Sequence, residues 1–250
     1  MEWYIVLSLI GVGLVAGFLN TVAGGGSMLS LPMLMFLGLP ANVANGTNRI
    51  ALFLQSIISA NTFRRSKVLD LKKDYRLAVP ATIGSVFGAM FAVELNEAVM
   101  RKVIAVVMVV MLFMVIFRPE SKMRANAGCE SSKHSVLQYI ILFIVGFYGG
   151  FIQLGVGFLL IAGLVWGCGY DLVKTNAVKV FIILIYTAFA LIVYIWNRQV
   201  DFASGLILAT GNMTGAWLGA KFTIKGGAKY VRYVLIVALV IVTIKLLGVF

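Results

Sequence analysis

The chain is short of the groups on which metal, redox and hydrolytic chemistry is built. Its 250 residues include two cysteines, Cys129 and Cys168, and one histidine, His134. Cys129 and His134 fall in a polar loop and Cys168 at the end of an apolar segment, so neither a disulfide framework nor a metal cluster is indicated. Carboxylates are scarce as well: all nine (Glu2, Asp70, Asp74, Glu94, Glu97, Glu120, Glu130, Asp171 and Asp201) lie in loops or at segment ends. None sits in the middle of an apolar segment, where it could relay protons or hold a cation. Without paired carboxylates, a triad or a metal set there is no visible machinery for hydrolysis. The expectation is a chain that is not an enzyme and has no cofactor and no metal.

Apolar residues fill the chain instead. They make up 61% of it, with a mean hydropathy of +1.01, whereas soluble domains lie nearer a half. This composition belongs to an all-α polytopic membrane protein, in which each crossing takes about 20 residues. Trp3 to Val22 has no basic stretch before it and no small-residue cleavage site after it, so a retained helix is expected and not a removed signal peptide. The net charge of +12 would suggest nucleic acid in a soluble protein. Here the basic residues cluster in three loops and read as positive-inside topology, with no nucleic-acid partner.

Ten apolar segments emerge: Trp3 to Val22, Met28 to Leu39, Val43 to Phe63, Leu77 to Val93, Val99 to Phe117, Val136 to Leu154, Val156 to Trp166, Leu172 to Trp196, Phe202 to Ala220 and Tyr230 to Phe250. The second and seventh are too short to span comfortably and read as half-helices or re-entrant segments. Adding 131 to a residue number carries Gly24 onto Gly155, Gly26 onto Gly157, Asn45 onto Asn176, Asp70 onto Asp201, Gly84 onto Gly215 and Gly88 onto Gly219. A period this long implies two domain-sized halves, residues 1–117 and 136–250, joined by a basic linker at 118–135.

The loop from Arg64 to Arg76 carries six basic residues (Arg64, Arg65, Lys67, Lys72, Lys73 and Arg76) and its counterpart carries Arg198 alone. The next pair reverses the bias: Arg101 and Lys102 against Lys221, Lys225, Lys229 and Arg232. Equivalent loops on opposite sides predict two inverted five-segment repeats, with the linker cytoplasmic in an inner cell membrane. The alternative is eight full crossings with parallel halves, if the short segments do not cross.

A helix should break at Val22-Ala23-Gly24-Gly25-Gly26-Ser27, because each glycine costs roughly 1 kcal/mol against alanine inside a helix. Ser27 is a good N-cap for the next helix. In a membrane such a break survives only where it is buried in protein or lines a watery cavity. There the N–H groups and positive end of the second helix would attract an anion. Gly155-Val156-Gly157 is the second-half echo, with close helix packing as the alternative for both breaks. The polar residues in apolar context are mostly donors: Asn20, Thr21, Ser27, Asn45, Thr47, Asn48, Arg49 and Gln55, then Gln153, Asn176 and Lys179. A basic residue at bilayer depth costs roughly 2.5 to 3.5 kcal/mol, so Arg49 and Lys179 need a role. Snorkelling to the interface is the other reading of each, and interhelical hydrogen bonding that of the Asn and Thr groups.

The run Gly17-Phe18-Leu19-Asn20-Thr21-Val22-Ala23-Gly24-Gly25-Gly26-Ser27, the Asn45-Gly46-Thr47-Asn48-Arg49 stretch, the basic loop after it and the glycine-rich second-half echo resemble the TauE/SafE family of sulfite and organosulfonate exporters. The resemblance covers nearly the whole chain. It departs in the second half, where Phe147-Tyr148-Gly149-Gly150 and Gln153-Leu154-Gly155-Val156-Gly157 keep the glycines without a full triplet. It implies a secondary transporter of small sulfur-containing anions. Joined to the residue reading, it predicts a central site at which Asn20, Gly24, Gly25, Gly26, Ser27, Asn45, Thr47, Asn48 and Arg49 face Gln153, Gly155, Gly157, Asn176 and Lys179. Alternating access would come from one repeat rocking against the other. A channel-like passive anion pathway is the nearest alternative. The expected partners are the anion and the lipid bilayer, and a homodimer is left open.

Overall fold

The structure, a computed structural model, describes residues 2–117, 136–168 and 170–225. The linker from Arg118 to Ser135, with Cys129 and His134, and the tenth segment from Tyr230 to Phe250 lie outside the described residues. The described residues form nine helices and no strand: α1 (Trp3–Val22), α2 (Ser27–Phe36), α3 (Ala41–Arg65), α4 (Leu71–Glu94), α5 (Glu97–Phe117), α6 (Val136–Phe151), α7 (Val156–Cys168), α8 (Leu172–Trp196) and α9 (Phe202–Ile224). Trp3–Val22, Asp74–Glu94 and Leu172–Trp196 are long and apolar enough to cross a membrane, and Ser27–Phe36, Val136–Phe151 and Val156–Val165 are shorter apolar helices. The protein is an all-helical polytopic membrane protein.

The glycine break falls where its residues dictate. Gly24 takes a φ of +87°, a left-handed conformation closed to most L side chains, and its N–H turns back to the Leu19 carbonyl to cap α1. A Cβ on Gly26 would overlap the Ala16 carbonyl oxygen, so the chain doubles back along α1 before α2 begins. The second break, at Ile152 to Gly155, turns in the same way on Gly155 at a φ of +66°. With 10 residues α2 extends about 15 Å, and with 13 residues α7 about 20 Å. Both fall short of a hydrocarbon core of about 30 Å. Ser27, expected as an N-cap, is instead the first helical residue, and Gly26 holds the cap position. The reason lies one turn inside the end of α1: the Asn20 side chain accepts from the Ser27 N–H at 3.1 Å and does the capping from across the break.

Glycines set the helix packing. Cβ atoms on Gly13 and Gly17 would overlap the Leu208 and Asn212 carbonyls, and α9 returns the contact with Gly211 on Ile10, Gly215 on Leu14 and Gly219 on Phe18. Both numberings rise together, so α1 and α9 run parallel with their backbones touching. In the same way Gly146 and Gly150 of α6 meet Ala81 and Ser85 of α4, while Gly84 and Gly88 meet Phe143 and Phe147. By their hydrogen bonds α3 runs parallel to α9 (Thr47 to Asp201, Gln55 to Asn212) and α8 to α4 (Lys174 to Asp74, Tyr186 to Ser85). The meeting of α3 with α8 is opposite in sense: Asn45 near the start of α3 donates to Tyr194 near the end of α8. The described helices α1, α3 and α9 therefore run against α4, α6 and α8.

These contacts correct the expected register. Gly13 and Gly17 correspond to Gly146 and Gly150, an offset of 133, and Ala81 and Ser85 correspond to Leu208 and Asn212, an offset of 127. The offset of 131 holds for α3 and α8, with Lys67 and Arg198 ending them in matching left-handed caps at φ 57° and 56°, and for the left-handed Gly24 and Gly155 at the breaks. A ridge of glycines four apart looks the same after a shift of one turn, so the sequence match for α4 and α9 was out by one turn.

Candidate anion site at two helix breaks

The polar residues of α3 and α8 gather into two clusters, one at each break. Arg49 is fully buried. Its Nη1 donates to the Gly149 carbonyl at 3.0 Å and to Gln153 Oε1 at 3.1 Å, and its Nη2 donates to the Gly150 carbonyl at 2.6 Å and the Tyr194 hydroxyl at 3.3 Å. Tyr194 also stacks beneath the guanidinium, 4.4 Å from its ring centre. Asn45 donates to the same hydroxyl at 2.8 Å and to the Phe151 carbonyl at 2.9 Å. Gln153 completes the cluster by donating to the Tyr186 hydroxyl and to Thr187 Oγ1.

Lys179, equally buried, serves the first break. Its Nζ donates to the carbonyls of Asn20 at 3.1 Å and Thr21 at 2.9 Å, and to Asn176 Oδ1 at 2.5 Å. The Asn20 amide in turn reaches Gln55, which accepts from Asn212 at 3.0 Å. Thr21 and Ser59 share a hydrogen bond at 3.0 Å, and Ser30 donates to Asn48 at 2.7 Å.

Each cation thus comes from the long helix of one half and holds the carbonyl end of the broken helix in the other. The negative end of a helix dipole attracts a cation, which explains why both tolerate burial. Neither snorkels, because neither reaches the surface. Four carboxylates among the described residues are engaged elsewhere: Asp74 with Lys174, Glu97 with Arg101, and Asp171 and Asp201 as caps of α8 and α9.

Of the remaining expected residues, Gly24 and Gly157 pack backbone to backbone where the breaks cross, and Gly155 lies against the side chains of Met28 and Met111. The Gly25 carbonyl accepts from Met28 N and the Gly26 carbonyl from Leu29 N, in the first turn of α2. Ser27 gives both its N–H and its hydroxyl to Asn20. Thr47 stands apart from both clusters and accepts from Asp201 N. Sequence reasoning missed Tyr186, Thr187, Tyr194 and Asn212. The spacing Lys179, Tyr186, Tyr194 puts two hydroxyls on the face of α8 that carries the lysine, a signal available before the fold.

The family model described as Sulfite exporter TauE/SafE matches residues 9–246 of the chain. A probable membrane transporter protein of Sinorhizobium is 24% identical over 253 residues, covering 99% of this chain and 94% of its own length. The probable membrane transporter protein YfcA of Escherichia coli is 28% identical over 242 residues, 94% of this chain and 87% of its own. One from Methanocaldococcus jannaschii is 26% identical over 246 residues, 91% of this chain and 90% of its own. No solved structure matches.

Proposed function

The chain belongs to the TauE/SafE sulfite exporter family and is a membrane transporter, and on that premise we propose that it carries a small sulfur-containing oxyanion, such as sulfite or an organosulfonate, through a site at the two helix breaks. The observation that carries the reading is the burial of Arg49 and Lys179 at those breaks, among amides and hydroxyls. Charge-assisted donors of this kind suit a compact oxyanion.

Residues 1–117 and 136–250 act as repeats inverted across an inner cell membrane, and the linker between them is cytoplasmic. The antiparallel meeting of α3 with α8 supports this arrangement, as do the basic helix ends: Arg64, Arg65, Lys221 and Lys225 close α3 and α9, which run parallel. In transport, one half rocks against the other, and the anion shares the charge of the cations with the helix-end carbonyls. A filled site would then loosen the grip of each half on the opposite break, which links binding to rocking.

The test is the melting temperature of the detergent-purified protein with sulfite, thiosulfate, sulfoacetate, sulfate and chloride. A ligand at a hundredfold excess over Kd stabilises the fold by about 2.7 kcal/mol, so a selective upward shift by a sulfur oxyanion is expected. A shift produced only by neutral or cationic compounds would overturn the reading.

A further inference from the structure

The geometry points to the anion's own seat within this site: the Nε–H edge of Arg49 and the hydroxyl of Tyr186, a pair of donors that takes an oxyanion and has no place for a ligand ammonium group. The inference rests on the transport reading above and narrows it. Arg49 Nε is buried and has no hydrogen-bond partner among the described residues. The rest of the guanidinium is occupied, because its two Nη atoms hold Gly149, Gly150, Gln153 and Tyr194 and its face lies on the Tyr194 ring. Only the Nε edge is left to address a ligand in the guanidinium plane. A buried charged donor left unsatisfied is destabilising, so the position favours anything that brings an acceptor.

Tyr186 is one residue away by two routes. Gln153 accepts from Arg49 at 3.1 Å through Oε1 and donates to the Tyr186 hydroxyl at 3.1 Å through Nε2. Gly149, whose carbonyl binds Arg49, lets the same hydroxyl come within 3.0 Å of the point where a Cβ would stand. Gln153 thereby fixes the hydroxyl as an acceptor, and an oxyanion at the Nε edge would take its proton in place of the neighbouring Thr187 hydroxyl. The last carbonyls of α6 are taken: Gly149 and Gly150 by Arg49, and Phe151 by Asn45 and Tyr194. An ammonium group would find acceptors already engaged and a guanidinium close by.

Three two-carbon sulfonates differ only at the far group: sulfoacetate carries a carboxylate, isethionate a hydroxyl and taurine an ammonium. Calorimetric titration of the purified full-length protein should give sulfoacetate and isethionate binding at least tenfold tighter than taurine. Tyr186→Phe should weaken sulfoacetate about tenfold or more, the worth of one hydrogen bond to a charged group. Gly149→Ala, which pushes a methyl against the hydroxyl without removing it, should weaken it in the same direction and serves if Tyr186→Phe does not fold. Tyr148→Phe, which removes a hydroxyl donated to the Leu154 carbonyl at 2.7 Å, should leave sulfoacetate affinity within twofold. Wild-type affinity in a folded Tyr186→Phe protein, or taurine binding as tightly as sulfoacetate, overturns the seat and leaves the transport reading standing. If the wild-type protein binds no sulfonate or sulfite at all, the anion reading fails and the seat fails with it.

Discussion

A guanidinium and an ammonium group buried in an apolar chain would each cost roughly 2.5 to 3.5 kcal/mol on insertion scales if left uncompensated. Arg49 spreads its donors over two successive carbonyls, an amide and a phenol, a fork that the single nitrogen of lysine cannot match. Arg49→Lys is therefore expected to lower the melting temperature and to cut transport more than tenfold, even though the charge is kept. Full transport by that variant would show that charge alone suffices. The glycines make a sharper pair of predictions. Gly17→Ala would drive a Cβ into the Asn212 carbonyl and should cost about 1 to 3 kcal/mol by forcing α1 from α9. Gly11→Ala, with nothing within 4 Å, should be neutral or stabilising by up to about 1 kcal/mol. Thermal melts of both variants check the contrast. Arg49 and Lys179 were legible in the sequence because a cation inside an apolar run has few explanations. Tyr186 and Tyr194 were marked only by sharing the lysine's face of α8, since a tyrosine in such a run reads equally well as a core aromatic until its hydroxyl is seen to meet an amide.

The helices divide by what their sequences made visible. The bounds of α1 and α8 could be read directly, because their apolar runs end at a glycine break and at the polar Asn197 and Arg198. The start of α4 could not: the helix begins at Leu71, six residues before its apolar run, because charged residues are comfortable in a first turn that emerges from lipid. That early turn has a purpose at this scale. Asp74 sits in it, buried, and receives Lys174 from the first turn of α8 at 2.7 Å, tying one half to the other at the end where α3 closes on Arg64 and Arg65. The equivalent junction at the opposite end, between α3 and α9, is the neutral Thr47 to Asp201 hydrogen bond. Removing one partner of a buried pair leaves its charge stranded. Asp74→Asn is thus expected to destabilise by about 2 kcal/mol, less than a fully enclosed pair because Lys174 is partly exposed. A double-mutant cycle with Lys174→Met should recover a coupling of about 1 kcal/mol or more, and additive losses would show that the pair is incidental.

For the molecule as a whole, the orientation of the halves is the feature from which the transport account follows. Lys67 and Arg198 are equivalent residues, alike even in their left-handed backbone, yet an inverted repeat places them on opposite faces of the membrane. Single cysteines at those positions, in a chain freed of Cys129 and Cys168, should react with an impermeant thiol reagent from opposite sides. Labelling of both from one side would instead support eight crossings with parallel halves. In the sequence this orientation rests on loop charge alone, whereas glycine marked the two breaks. The pairing of the halves was lost to it, because which glycine ridge meets which carbonyl is decided by one turn of helix that a sequence match cannot resolve. The claim that most needs testing is that the two halves enclose an anion site and expose it to one face at a time. Purified protein in liposomes loaded with unlabelled sulfite or sulfoacetate, given the labelled compound outside, measures this by counterflow. The account predicts saturable uptake, accelerated by substrate inside and cut more than tenfold in Arg49→Lys. Flux that rises linearly with concentration and ignores the substrate inside would contradict it and leave a passive pathway through the same fold.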